Sequence, residues 1–333
     1  SYSSPKLTEL IIKAKPTSFK ALLIASFGRH YLARPLEKEV GNVLFEVSSR
    51  GKKNEGVVGD IVTLEPTSNN QAVLVSIDER KNRLFRSDAF RSKSIAANVD
   101  QILLVLATEP GFSPDLLGRA AIAAAHEGIE LRILLNKADL TNSIDKARQL
   151  LEPYRHLGFP IHEISAKFNP ESIQSLREVL SGKISVLVGQ SGMGKSTLLN
   201  AWIPNADAQT REHSIKLDSG KHTTTACRYY DLPSEWGLRD NKLGALIDSP
   251  GFQEFGLAHL SESELQHAFI EFKSLLGKCR FHNCTHHHEP GCAILEAVER
   301  NEIDPGRVAL FNQLVHETKN ASLQVQGRQT KSN

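Results

Sequence analysis

A multidomain α/β protein is what this sequence predicts, on three observations. Short apolar stretches broken by Gly, Asn and Pro fill residues 18–88, strand-like and helical patterns alternate through residues 89–258, and cysteines and histidines crowd together near the C-terminus. The first reads as a small β-barrel, the second as a parallel sheet with helices on both faces, and the third as a helical metal-binding domain. At 333 residues the chain is too long for one ordinary domain. No apolar run approaches the roughly 18 residues of a membrane span, and the opening "SYSSPKLTEL" has no apolar signal core. A cytoplasmic protein without membrane association is expected. The formal charge is only +2, so contact with nucleic acid has to come from local basic patches.

Residues 1–17 lack a strong period and are expected to form a flexible tail. In the barrel region the strands are "ALLIASF", "NVLFEV", "DIVTLEP" and "QAVLVSI", each bounded by turn residues. The basic stretch "DERKNRLFRSDAFRSKS" reads as a linker. Next, "VDQILLVLAT" is a buried strand and "PDLLGRAAIAAAHEG" a helix closed by Gly128. Strand "LRILLN", helix "SIDKARQLLEPYRHLG", strand "PIHEIS" and helix "PESIQSLREVLSG" follow. Then come strand, glycine loop and helix in "KISVLVGQSGMGKSTLLNAW", and two strands in "TACRYYDL" and "LGALIDSPG". Residues 259–318 look helical around the Cys/His knot, and 319–333 read as a disordered tail.

"GQSGMGKST" satisfies G-x-x-x-x-G-K-[ST] between a strand and a helix, where a phosphate loop has to stand. Gly189, Gly192 and Gly194 let the backbone N–H groups of Gln190, Ser191 and Met193 face phosphates, and Lys195 adds a point charge. Ser196, followed by Thr197, offers a hydroxyl to Mg²⁺. Such loops serve ATP and GTP alike, so the base needs its own reader. In "NKAD" the Asp139 carboxylate can accept from guanine N1–H and N2, a pair of donors that adenine lacks. Asn136 would brace the loop, Lys137 would lie along the ring, and Ala138 completes the turn. "SAK", Ser165, Ala166 and Lys167, could present a backbone N–H to guanine O6. Both loops stand just past a parallel strand, where α/β sheets bind ligands.

Two further segments follow the phosphate loop. In "DSPG", Asp248 can reach Mg²⁺ through water and the Gly251 N–H can meet the γ-phosphate. "GKHTTT" reads as a β-edge or as a mobile switch carrying Thr224 to the metal; its place between the phosphate loop and "DSPG" favours the switch. The order is base, base, phosphate, switch, switch. Ordinary Ras-type GTPases run from phosphate to base, so the domain is circularly permuted.

The Cys/His stretch "CRFHNCTHHHEPGC" supplies three thiolates and four imidazoles, enough for a closed, structural Cys3His zinc site. His282, His286, His287 and His288 all remain possible fourth ligands on this ground. Cys227 stands apart and reads as a core residue. "GRHY", "RGKK" and "RKNRLFR" offer cations and rings that could meet RNA or face solvent; together, beside a GTPase, they favour RNA.

The combination resembles the ribosome small-subunit-dependent GTPase family, RsgA or YjeQ, over nearly the whole chain. The resemblance rests on the permuted order, "GQSGMGKST", "GKHTTT", "DSPGF" and the spacing Cys279-x4-Cys284-x-His286-x5-Cys292. The family often has Arg where Lys221 stands and Ser where Thr197 stands, both mild departures. It implies an N-terminal OB-fold β-barrel, a permuted P-loop GTPase and a C-terminal zinc domain whose ligands include His286. Also implied are GTP/GDP, Mg²⁺ and one Zn²⁺ as cofactors, and hydrolysis stimulated by the 30S subunit during late maturation. The 30S subunit and 16S rRNA are the expected partners of a monomer. Phe252 occupies the position of the water-orienting Gln of Ras-type GTPases, so another group has to serve: His222 of the switch, or a ribosomal group. Two rivals are a GTP-gated RNA-binding module in which hydrolysis is incidental and a P-loop kinase, which would leave "NKAD" and "SAK" without use.

Overall fold

The computed structural model describes residues 18–41, 43–49, 55–88, 91–206, 209, 226–250 and 252–329. The expected tail 1–17, the "RGKK" patch and residues 330–333 lie outside the described residues.

Five strands make the barrel: β1 (Phe19–Phe27), β2 (His30–Pro35), β3 (Phe45–Ser49), β4 (Ile61–Ser68) and β5 (Gln71–Ile77). They run in the order β1-β2-β3-β5-β4, and β4 pairs back onto β1 to close the sheet. Only β3 and β5 pair in parallel. The reason β1 reads as a continuous apolar run is that both of its faces are buried. Phe19, Ala21 and Leu23 point into the barrel with Tyr31, Phe45, Val62 and Leu64, while Leu22 and Ile24 join the core of the next domain. Asp60 is fully buried and takes a two-pronged ion pair, Arg80 Nε to Oδ1 and Nη2 to Oδ2, each at 2.7 Å. Arg80, expected within an RNA-facing patch, is therefore committed to holding the barrel together.

The basic stretch is not a linker. It folds into a hairpin, β6 (Arg83–Asp88) and β7 (Arg91–Ala97), whose Leu84, Ile95 and Ala96 belong to the same core as the following sheet. The expected boundary between residues 88 and 89 thus falls between two strands that pair with each other. The charges conceal the strands because their inward-facing apolar residues are few.

Six strands form the second sheet: β8 (Gln101–Ala107), β9 (Glu130–Asn136), β10 (Ile161–Glu163), β11 (Ile184–Val188), β12 (Arg228–Asp231) and β13 (Ala245–Asp248). The order is β10-β9-β8-β11-β13-β12, parallel except for β12. Between β12 and β13 the chain makes only a short 3-10 turn, Ser234–Trp236, so β12 returns antiparallel without a crossover helix. Ala25 of β1 pairs with Arg228 of β12, which joins barrel and sheet.

Helices are α1 (Pro114–Glu127), α2 (Ile144–His156), α3 (Pro170–Gln174), α4 (Arg177–Leu180), α5 (Lys195–Trp202), α6 (Glu262–Ala268), α7 (Ala293–Glu299) and α8 (Pro305–Gln329). Helix α1 starts where Ser113 caps the Leu116 N–H and ends at Gly128 in the left-handed region. Gly118 lets α8 approach closely, since a Cβ there would stand 2.3 Å from Leu310 Cδ2. Arg119 of α1 pairs with Asp115, Glu254 and Glu317, tying α1 to the segment after β13 and to α8. The buried Arg307–Glu271 pair, with the Arg307 guanidinium over the Tyr154 and Phe269 rings, fixes the C-terminal helices against α2. Helix α8 continues through residues 319–329, which the sequence analysis assigned to a disordered tail. The segment is polar, as a tail would be, but it is rich in helix formers and continues a helix already anchored by Phe311, Leu314 and Thr318.

Candidate functional site

Strands β8, β11 and β13 lie side by side and parallel, so the loops at their C-terminal ends open into one crevice. The phosphate loop leaves β11 there and enters α5 at Lys195. Its glycines are required by contact. A Cβ on Gly189 would lie 2.4 Å from Val105 O, and one on Gly194 would lie 2.1 Å from Asn136 Nδ2; both residues have positive φ. Gly192 is also at positive φ, Met193 is buried beneath the loop, and Gln190 is half-buried. Ser191, Ser196 and Thr197 are exposed.

Lys195 Nζ donates to the carbonyls of Gly189 at 2.6 Å and Gln190 at 3.1 Å, which curls the side chain over the loop. Burial pushes its ammonium below the usual lysine range, against the pull of Asp248. Asp248 closes β13 in register with Leu187 of β11. Burial pushes its carboxyl up, while Lys195 and Arg228 oppose the shift. The half-buried Asp248 carboxylate and the Ser196 hydroxyl are hard oxygen donors, the set that suits Mg²⁺.

Asn136, at the end of β9, joins the three loops. Its Nδ2 donates to Met193 O of the phosphate loop at 2.9 Å, and its Oδ1 accepts from the Ala166 N–H at 3.0 Å. A single buried amide thus sets the spacing between base loop, "SAK" loop and phosphate loop. Lys137 is in the left-handed region and donates to Glu109 O, while Thr108 Oγ1 donates to Lys137 O at 3.0 Å. Ala138 is half-buried, and its N–H donates to Ile164 O at 3.0 Å. The Asp139 carboxylate is exposed, with Oδ1 accepting from the buried Ser165 hydroxyl. Lys167 is exposed and its ammonium lies over the Phe168 ring.

Thr108, Glu109 and Pro110 are the part of the site that sequence reasoning missed. They follow β8 at the same edge, and Pro110 Cγ lies 3.5 Å from where a Gly192 Cβ would be. Their signal was position alone, directly after an apolar strand of the same sheet. His222, Thr224 and Gly251 lie outside the described residues.

The C-terminal knot brings Cys279, Cys284, His286 and Cys292 together, with all four donor atoms within 4.8 Å of one another. Cys279 Sγ lies 3.6 Å from His286 Nδ1 and 3.9 Å from Cys292 Sγ, and His286 Nδ1 lies 3.4 Å from Cys292 Sγ. Those are close to the edges of a tetrahedron with zinc–ligand bonds of about 2.0–2.3 Å. The donor set fits zinc. His286 is buried against the paired Phe272 and Phe311 rings, whereas His287 and His288 are exposed and turn to each other. Tertiary packing therefore selects His286 among the four histidines, in agreement with the family spacing.

Residues 77–258, more than half the chain, match the model of the RsgA GTPase family. The chain belongs to this family. It is a GTPase that uses GTP, GDP and Mg²⁺. A relative from Ralstonia nicotianae, named small ribosomal subunit biogenesis GTPase RsgA, is 54% identical over 304 residues, 91% of this chain and 93% of its own. A protein of the same name from Paraburkholderia xenovorans is 53% identical over 305 residues, 91% of this chain and 95% of its own. Among solved structures, YjeQ from Thermotoga maritima superposes with a TM-score of 0.65 at 28% identity, covering 90% of this chain and 98% of that one. YloQ, described as a circularly permuted GTPase, gives 0.63 at 26% identity over 91% of this chain and 96% of its own. The permuted order read from the RsgA-type motifs is thus the order of a known fold.

Proposed function

We propose that this chain acts in late maturation of the 30S ribosomal subunit. It binds the subunit and 16S rRNA in the GTP form, hydrolyses GTP when the subunit stimulates it, and dissociates. The observation that carries the reading is the Asn136 bridge, which couples a guanine reader to a phosphate loop in a chain whose relatives are named for small-subunit biogenesis. The protein works as a monomer in the cytoplasm, where subunits are assembled.

Asp139 reads guanine, and the "SAK" backbone meets O6. The phosphate-loop N–H groups and Lys195 hold the phosphates. Ser196, Thr224 and Asp248 hold Mg²⁺, which when bound neutralises phosphate charge; Gly251 senses the γ-phosphate. His222 orients the attacking water. A single-stranded RNA segment fits the groove of about 760 Å³ between barrel, hairpin β6–β7 and β12, lined by Arg29, His30, Arg86, Lys93 and the Phe27 and Phe85 rings. The Ser92 and Ser94 hydroxyls, beneath its wall, are buried without a hydrogen-bond partner within the protein.

Turnover with and without purified small subunits separates this reading from a GTP-gated RNA-binding module. Stimulated hydrolysis supports the assembly GTPase; subunit binding that depends on GTP but leaves turnover unchanged supports the module. A second expectation concerns base choice. Asp139→Asn puts an amide donor where guanine requires an acceptor, which costs about 1–3 kcal/mol in GTP binding, the worth of a bidentate pair. Preference moves toward xanthosine triphosphate, whose C2 carries oxygen, and competition binding reads the change. Unaltered GTP preference removes Asp139 from base recognition.

A further inference from the structure

A second group of metal-binding side chains lies far from the cysteine knot in sequence. His126 and Glu127 end helix α1, and His259 lies on the segment that leaves the Asp248–Gly251 switch for the C-terminal helices. Their ligand atoms all lie within 4.8 Å of one another, and His126 Nε2 is 3.7 Å from Glu127 Oε1. All three side chains border a cavity of about 10 Å³, close to the smallest volume that holds a single water molecule. We propose that His126, Glu127 and His259 form a second, exchangeable site for a divalent cation of the zinc class, and that the ion clamps the switch exit to α1 and β6.

The surroundings orient these donors. Glu127 Oε2 accepts from the Arg83 N–H of β6 at 2.9 Å, which leaves Oε1 on the His126 side. The His259 ring packs on Phe85 with centroids 4.2 Å apart. The backbone of the segment is pinned to β6, with Ser87 N donating to Glu254 O at 3.0 Å and Gly256 N to Phe85 O at 3.1 Å. Outer partners of this kind hold metal ligands in place. Of the other charged groups near His259, Glu264 is engaged by Ser261, and the Arg83 guanidinium lies over the Phe85 ring.

Two imidazoles and one carboxylate select zinc and its first-row neighbours over Mg²⁺ or Ca²⁺. Three protein ligands also leave a coordination position for water, unlike the closed cysteine site. His259 is exposed at the cavity mouth, so its ring has room to move onto an ion and to let it exchange.

The test uses the full chain carrying its structural ion, titrated with Zn²⁺ against a chromophoric chelator in excess Mg²⁺. Wild type is expected to take up about one further ion per chain. His259→Phe keeps the ring stack on Phe85 without the ligand nitrogen, and Glu127→Gln keeps the acceptor for the Arg83 N–H. Each removes one of three direct ligands and is expected to weaken the second site by at least about a hundredfold, the most that loss of an outer-shell partner costs. Retained structural zinc and unchanged thermal unfolding show that the variants are folded. Amide exchange across residues 252–260 slows with Zn²⁺ in wild type only. A titration with no further ion overturns the proposal. So does a further ion bound equally by His259→Phe, which would assign it to the exposed histidines beside the knot.

Discussion

Cys284→Ala, or a strong chelator, unfolds the C-terminal helical domain and leaves nucleotide binding by the rest of the chain largely intact. Between Lys278 and Gly291 the chain has neither helix nor strand, and most of its side chains are exposed, so apolar burial does little to hold it. Its order comes from the four converging donors and from His286 packed against Phe272 and Phe311. Burial pushes the Cys284 thiol up to about 12 and raises Cys292 as well, so without a cation the knot resists forming the thiolates that zinc requires. Structural zinc supplies roughly 10–16 kcal/mol of apparent binding free energy in small zinc domains, and that energy is folding energy. Helix α7 begins directly at Cys292 and is expected to lose order with the knot. Metal analysis and amide exchange check both statements. Folded protein with a zinc-to-protein ratio near zero overturns the assignment.

His222→Ala is expected to keep GTP affinity within a few-fold and to lower subunit-stimulated hydrolysis by about a hundredfold, the low end of acid–base contributions. The structure strengthens the reason for looking beyond the Ras-type position. Phe252 is buried, 2% exposed, with its ring edge-on to Phe255 at 4.7 Å, so this side chain points into the core and carries no hydrogen-bonding group. An imidazole on the segment between the phosphate loop and β12 can hold a water at neutral pH. Single-turnover hydrolysis with saturating small subunits decides the matter. A near-normal rate transfers the role to a ribosomal group.

The segment that follows β13 is tied to distant elements. Glu254 meets Arg119, which also holds Glu317 of α8, and Phe255 pairs with Arg86 of β6. On the proposed reading of Asp248 and Gly251 as γ-phosphate contacts, the segment that follows them ties the site to the hairpin and to the C-terminal helix.

By itself the sequence determined the phosphate-loop motif, the place of "NKAD" just past a parallel strand, the strand–helix alternation, the permuted order and the metal class of the cysteine knot. Each rests on chemistry carried by a few contiguous residues or on a local period, and local backbone geometry follows from both. Tertiary structure alone decided which charges were spent on the fold. Arg80 looked like an RNA contact and instead neutralises Asp60, and Arg119 finds Glu317 on a helix at the other end of the chain. It also turned a basic linker into hairpin β6–β7 and set β12 antiparallel. Only packing singled out His286 by geometry, and only the fold brought His259 to His126 and Glu127. A charged or polar side chain has no fixed role until its partner is known. Burial makes that partner decisive, because an ion or donor removed from water has to find its counterpart wherever the chain brings one within reach.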